Sequence, residues 1–157
     1  MRWQHPNNTA RRASAASRAA IFVCLILALT LVAAASETAG VSVRDAWVRE
    51  TPPGMTMMAG YMELRNNTSQ PQVLVAASSS GLETVMIHRT VVKDGMASMV
   101  HASQIELAPG TSLIFAPGGY HLMLMNPKRT LHAGDRIDIN LEFRSGLRLL
   151  VSFEVRQ

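Results

Sequence analysis

The sequence predicts an all-β domain, a β-sandwich or a small barrel, on the basis of three observations. Short segments of alternating apolar and polar residues follow one another from residue 41 to the end of the chain. Turn signals rich in Gly, Pro, Asn and Asp separate these segments. No segment in this region combines a sustained helical period with caps at both ends. Many short strands joined by regular turns are typical of sandwiches and barrels.

Nine strands are predicted in order between these turns. Each is bounded by Gly, Pro, Asn or Ser, and the turn at 93–95 reads Lys-Asp-Gly. The predicted strands are 41–48, 57–65, 72–78, 82–92, 96–107, 112–117, 120–126, 136–143 and 147–155. The strand at 136–143 alternates strictly, so its apolar residues point inward and its polar residues point to solvent. The inward residues are Ile137, Ile139, Leu141 and Phe143.

Residues 1–35 predict a secretory signal peptide. Basic residues precede the apolar run 19–35, which ends in three alanines, the arrangement of a cleavable leader. We expect cleavage after Ala35, which leaves residues 36–157 as one domain exported to the periplasm. An uncleaved membrane anchor is the alternative, although the run is at the short edge of a bilayer span.

The composition of the mature part excludes several kinds of site. The only cysteine, Cys24, lies in the leader, and Val23 before it does not suit lipid attachment. Disulfides, thiolate nucleophiles, zinc–cysteine sites and blue-copper sites are therefore excluded from the mature part. The fifteen basic residues of the chain include four leader arginines, so eleven remain against eleven acidic residues. This balance gives no reason to expect nucleic-acid binding.

The strand predicted at 120–126 has one unusual face. His121, Met123 and Met125 occupy every second position, so the pleat places an imidazole and two thioethers on the same side. The opposite side is an ordinary core face, formed by Tyr120, Leu122 and Leu124. A protein core does not need the histidine, and a solvated face does not need the methionines. A soft metal ion uses both.

The hairpin predicted around residues 93–95 supplies further donors of the same kind. A two-residue type I′ turn at Asp94-Gly95 determines the register of its two strands. The paired positions are then Lys93 with Met96, Thr90 with Met99, and His88 with His101. Met99 also lies diagonal to His88, a separation of about 7–8 Å at Cα that long side chains bridge.

These donor types point to copper. Thioether sulfur is soft and neutral, so it favours Cu(I) over zinc, magnesium and calcium. Imidazole is a borderline donor that either oxidation state of copper accepts. Neither donor requires a thiolate, which suits an oxidising compartment, and the thioether needs no deprotonation before it binds.

The other methionines of the mature part divide into two groups. Met62 and Met86 lie in ordinary strand patterns and are assigned to the core, where methionine fills irregular space. Met55, Met57 and Met58 lie in or beside the first Pro/Gly loop. We expect these three to rim a site.

The spacing of the candidate ligands resembles that of a known family. His88, Met99 and the His121-x-Met123 pair fit H-x10-M-x21-H-x-M, the signature of the PCu(A)C family of periplasmic copper chaperones. The segments 45–54, 60–66 and 118–135 also resemble the sequences of this family. The resemblance covers essentially the whole mature chain.

The resemblance implies a cupredoxin-like β-barrel that binds Cu(I), with the ligands His88, Met99, His121 and Met123. It also implies copper delivery towards the CuA centre of cytochrome c oxidase, with the CuA subunit or a Sco-type assembly factor as acceptor. Further donors could be supplied by three accessory residues, Met125, His101 and Met96. Many family members carry Met directly after the first His, where this chain has Arg89.

Two other functions are compatible with the same residues, whereas an enzyme is not predicted, since no nucleophile stands with a base. One is copper sequestration for resistance, without an acceptor protein. The other is a secreted β-sandwich interaction module whose methionines are core residues. A Cu(I)-binding measurement separates the module from the copper functions, and a transfer assay separates delivery from sequestration.

Overall fold

Ten strands form within residues 1, 40–52 and 54–157, which are the residues that the structure, a computed structural model, describes. The predicted leader, beyond Met1, lies outside the described residues. In chain order the strands are β1 (Val41–Arg49), β2 (Met57–Asn66), β3 (Gln72–Ser78), β4 (Leu82–Lys93), β5 (Met96–His101), β6 (Ile105–Leu107), β7 (Ser112–Phe115), β8 (Tyr120–Pro127), β9 (Arg136–Phe143) and β10 (Arg148–Arg156). The all-β prediction is confirmed.

Each predicted segment contains a strand, but the segment 96–107 is divided into two. β5 pairs with β4, whereas β6 pairs with β3. The chain therefore leaves one partner strand for another between His101 and Ile105. Because this change depends on strands far away in the sequence, the residues between them carry no local signal for it.

The strands form one sheet that curls on itself. Their order is β5-β4-β8-β7-β2-β1-β10-β9-β3-β6, and β8 also pairs directly with β2. β3 and β4 contact each other as well, which brings distant parts of the sheet together as in a barrel. Within the described residues, no helix is long and apolar enough to cross a membrane.

The core lies inside the curled sheet and confirms the predicted inward faces. All four inward residues predicted for β9 are buried. On β8, Leu122 and Leu124 are completely buried. Burial of a side chain of this size stabilises the fold by about 1.5–3 kcal/mol. A shift of β8 by one residue would turn these side chains to the other face of the sheet, so it would cost much of that stabilisation. The same constraint determines which β8 side chains point away from the core.

The β4–β5 turn confirms the predicted hairpin. Asp94 and Gly95 have φ angles of 54° and 77°, the positive values that a type I′ turn requires at both central positions. The pairs Lys93–Met96, Thr90–Met99 and His88–His101 form as predicted. Turn chemistry alone therefore places two of the candidate donors, His88 and His101, opposite each other on neighbouring strands.

Candidate metal site

The candidate site is built on β8, next to the core. Leu122 and Leu124 point into the barrel, so the pleat turns His121 and Met123 to the other side of the strand. We call this side of β5, β4 and β8 the outer face. His121 is nevertheless only 6% exposed, and Met123 is half-buried. A buried imidazole on the outer face requires a specific partner.

β4 lies beside β8 and places a second histidine against the first. His88 pairs with His121 across the two strands, and the two ring centroids are 5.9 Å apart in an edge-to-face arrangement. The next pair along the same face is Met86 with Met123. Two imidazoles and two thioethers thus form a small rectangle on the outer face.

β5 adds two further donors at the edge of the sheet. His101 lies opposite His88, with ring centroids 5.7 Å apart. Met99 lies opposite Thr90, and its side chain is 63% exposed. The three histidines therefore form one row across three neighbouring strands, and Met99 stands beside the row on the solvent side.

Three of the four predicted ligands line a common cavity of about 180 Å³. We call it the methionine cavity. It is lined by Arg49, Thr51, Met57, Met58, Ala59, Met99, His121 and Met123. The fourth predicted ligand, His88, packs against the ring of His121, which lines the cavity. The structure thus brings together the donors that lie far apart in the sequence.

Hydrogen bonding leaves a nitrogen of each central histidine available to a metal. The Nδ1–H of His121 donates to the carbonyl oxygen of Gly119 at 3.2 Å. Because a carbonyl only accepts, Nδ1 carries the proton and the lone pair stays on Nε2. The Nδ1 of His88 is buried and has no hydrogen-bond partner among the described residues. An orphaned buried nitrogen is costly in a folded protein, and a bound cation would satisfy it.

Electrostatics keep His88 in the form that binds metal. Burial lowers the pKa of His88 below its usual 6.5, and the neighbouring His121 and His101 lower this pKa further. His88 is therefore neutral at pH 7. A neutral imidazole has the lone pair that a metal ion requires.

The lining of the methionine cavity does not suit hard cations. Among the described lining residues, Arg49 is the only one with a formal charge when His121 is neutral, and none is a carboxylate. Calcium and magnesium require oxygen ligands, usually carboxylates. In the described part of the chain, no three or more His, Cys, Asp or Glu side chains are grouped so that they could hold a metal ion.

The accessory residues are placed unequally. His101 joins the histidine row, and Met125 follows Met123 on the outer face, opposite Thr84 and Met57. Met96 does not join the group. The register of β5 is unbroken between Met96 and His101, so alternation directs Met96 to the face opposite to Met99.

Met86 corrects the assignment made from the sequence. The core assignment is confirmed for Met62, which is buried. It is wrong for Met86, which is half-buried, stands outside the core cluster and pairs with Met123 on the outer face. An apolar residue in a strand pattern is typical of a core, but Met86 lies two positions before His88 and therefore shares its face.

Two residues of the site were not identified from the sequence. Arg49 is the last residue of β1 and Thr51 lies in the connection to β2, and both line the methionine cavity. The guanidinium of Arg49 lies 5.9 Å from the centroid of the Trp47 ring, a cation–π distance. The sequence pointed to these residues only through the segment 45–54, which resembles the family and contains both Arg49 and Thr51.

Comparisons with known proteins identify relatives. A sequence model of the LpqE-like family, described as "Putative lipoprotein LpqE-like", matches residues 41–155. The "Putative lipoprotein Lxx21020" of Leifsonia xyli subsp. xyli is 37% identical over 118 residues, which are 74% of this chain and 70% of that protein. Both names contain the word lipoprotein.

Two solved structures share the fold. The copper-bound PCuAC domain from PmoF2 has a TM-score of 0.62 at 22% identity, over 74% of this chain and 92% of that one. Cu(I)-bound DR1885 from Deinococcus radiodurans has a TM-score of 0.60 at 28% identity, over 82% and 85% of the two chains. The chain therefore belongs to the LpqE-like family and has the cupredoxin-like barrel of PCuAC domains, which confirms the family resemblance and the fold class predicted from the sequence.

Proposed function

We propose that this chain is an exported Cu(I) carrier in which His88, Met99, His121 and Met123 hold one ion. One observation carries the proposal. Three of these side chains line the methionine cavity, and the fourth contacts the ring of His121 and has a buried nitrogen with no hydrogen-bond partner among the residues that the structure describes. Two proteins of the same fold are named as copper-bound or Cu(I)-bound, which supports the same cargo here.

The donor set accounts for the preference for Cu(I). All four donors are neutral, so the bound ion keeps its single positive charge without a compensating carboxylate. A divalent ion would have twice that charge next to Arg49, with no anion in the cavity lining. Thioethers also discriminate against zinc because sulfur of this type is soft. We therefore expect tight Cu(I) binding and weak binding of Zn(II) and Cu(II).

The exposure of the ligands suits a carrier. His121 is almost completely buried, whereas Met99 lies largely in solvent on the edge strand β5. A donor from an acceptor protein can replace the Met99 sulfur first and leave the buried ligands in place. Because a thioether is neutral before and after it leaves, this exchange needs no proton.

We infer the location from the predicted leader and the acceptor from the family resemblance. The leader predicted at 1–35 supports a periplasmic location of the mature domain, and the lipoprotein names of the relatives support export. The acceptor is the CuA subunit of cytochrome c oxidase or a Sco-type assembly factor. The protein acts as a carrier and not as an enzyme. Sequestration without an acceptor is the second candidate, because the exposed Met99 would serve uptake equally well.

The ligand assignment is tested by Met123→Leu, which removes the sulfur and keeps the size of the side chain. A volume-conserving exchange of this kind costs less than about 1.5 kcal/mol of stability, so the variant should fold. We expect its Cu(I) affinity, measured by competition with a chelator, to fall at least about tenfold, or about 1.4 kcal/mol. The matched control is Met62→Leu in the buried core, which should bind like the parent.

The competing functions are separated by two results. Absence of Cu(I) binding by the parent protein would leave only the interaction module. If the parent binds, the loaded protein is mixed with a copper-free CuA domain, and the rate of CuA formation is compared with transfer from a small Cu(I) complex. Faster transfer from the protein supports delivery, and slower transfer supports sequestration.

A further inference from the structure

The three histidines of the outer face form a gradient from solvent to the interior. His101 is exposed on the edge strand, His88 is half-buried, and His121 is buried. Successive ring centroids are 5.7 Å and 5.9 Å apart. The ring of His88 thus contacts both neighbours and separates the ring of His101 from the ring of His121.

Each end of this row has its own thioether and its own cavity. His121 lines the methionine cavity together with Met123 and Met99. His101 lines a second cavity of about 190 Å³, which also contains Met86 and which we call the edge cavity. Its other lining residues come from β3, β4 and the end of β5, namely Val75, Ala76, Ala77, Val85, Ile87 and Ala102.

His101 and Met86 are otherwise unexplained. An exposed imidazole on an edge strand is common, but its cross-strand partner here is His88, whose Nδ1 is buried and forms no hydrogen bond within the described part of the chain. Met86 is no core residue, and the outer face gives it a histidine neighbour two positions along the same strand. Residues two apart on a strand are separated by about 7 Å, within reach of one ion for a long thioether and an imidazole.

We propose that His101 and Met86 form a second, outer Cu(I) position, and that the ion passes between the two positions with His88 as the shared ligand. This inference rests on the proposed copper-carrier function. In the outer position the ion is held by His101, Met86 and His88. On transfer inward, the bonds from copper to the His101 nitrogen and the Met86 sulfur break. New bonds form to the His121 nitrogen and to the sulfurs of Met99 and Met123.

The exchange is balanced without any further reactant. All donors are neutral, and copper stays in the Cu(I) state throughout, so neither protons nor electrons are exchanged. His88 remains bound in both positions, which means that the ion never has to be released into water. The outer position is the more exposed of the two, so it is the position from which uptake from solution begins.

The proposal is tested by the rates of uptake in His101→Gln and Met86→Leu. Each apo-variant is mixed with a Cu(I) complex of a small chelator, and loading is followed by stopped-flow absorbance of the released chelator. We expect loading to slow by about tenfold, the lower end of what the loss of a supporting group at a metal site costs. The final Cu(I) affinity should change by less than about threefold. The matched controls are His132→Gln, an exposed histidine paired with Glu50, and Met62→Leu in the core.

Three outcomes would overturn the inference. Loading rates of both variants equal to those of the parent would remove the outer position. A fall in affinity of about tenfold or more in either variant would make that residue a ligand of the final site instead. Equal slowing in His132→Gln would mean that the effect is not specific to the row. A parent protein that binds no Cu(I) at all would instead overturn the proposed function itself.

Discussion

The buried side chain of Asn66 permits a quantitative prediction about the stability of the barrel. Asn66 ends β2 and is completely inaccessible to solvent. Its Nδ2 donates to the carbonyl oxygens of Gln70, Leu107 and Ala108 at 2.8, 3.1 and 3.3 Å. Its Oδ1 accepts from the backbone N–H and the hydroxyl of Thr68 at 2.9 and 2.8 Å. One amide thus connects the end of β2 to the loop after it and to the end of β6.

Asn66→Ala removes these hydrogen bonds and leaves the buried carbonyl of Leu107 without this donor. An unsatisfied buried polar group costs about 1–3 kcal/mol, and a typical hydrogen bond contributes about 0.5–1.5 kcal/mol net. The contacts to Gln70, Ala108 and Thr68 are only partly buried, so water replaces part of their contribution. We therefore expect the free energy of unfolding to fall by about 2–4 kcal/mol. The corresponding fall in Tm is about 10 °C for a domain of this size.

The assay is urea unfolding of the apo-protein, followed by circular dichroism. The matched control is Asn67→Ala, because the side-chain hydrogen bonds that Asn67 makes to other described residues, Arg65 and Ser42, are exposed. It should lose no more than about 1 kcal/mol. Cu(I) affinity should not change in folded Asn66→Ala, since β2 pairs with β8 at its other end, Met57–Gly60. If Asn66→Ala is no less stable than Asn67→Ala, the reasoning about the buried amide is refuted.

Three further predictions concern pH and packing. Because burial and the neighbouring His121 and His101 lower the pKa of His88, the unfolded chain takes up its proton first, near pH 6.5. Apo-protein stability should therefore decline as pH falls below about 6.5. His88→Gln should abolish the part of this decline that is due to His88. A profile of stability against pH that is unchanged in this variant would contradict the prediction. As pH falls, Cu(I) affinity should decrease by at most about two decades per pH unit, since protons compete with copper for His88 and His121. A Cu(I) affinity that stays constant from about pH 7.5 to 5 would exclude histidine ligation. Gly60→Ala should cost about 1–3 kcal/mol in thermal unfolding, because the new Cβ would stand 3.0 Å from Leu124 Cδ1, and a neutral result would show that Leu124 moves aside.

Local chemistry determined much of the site from the sequence alone. The positive φ angles that Asp94 and Gly95 adopt in a type I′ turn set the β4–β5 register, so the His88–His101 pair could be predicted from six residues on either side of the turn. Strand alternation likewise separated His121 and Met123 from the core residue Leu122. Both rules act over a few residues, and burial of one face makes a shift of register costly.

The tertiary structure decided which local pieces meet. The pairing of β4 with β8 places His88 against His121 and Met86 against Met123, and no short-range rule specifies that pairing. Two other features also depend on the tertiary structure and not on a short-range rule. Arg49 lines the methionine cavity, and β6 pairs with β3. Strand order depends on how all the apolar faces are buried together in one core, whereas turn and pleat depend only on neighbouring residues. The sequence therefore determined the donors and their faces, and only the curled sheet determined that Met99, His121 and Met123 line a common cavity.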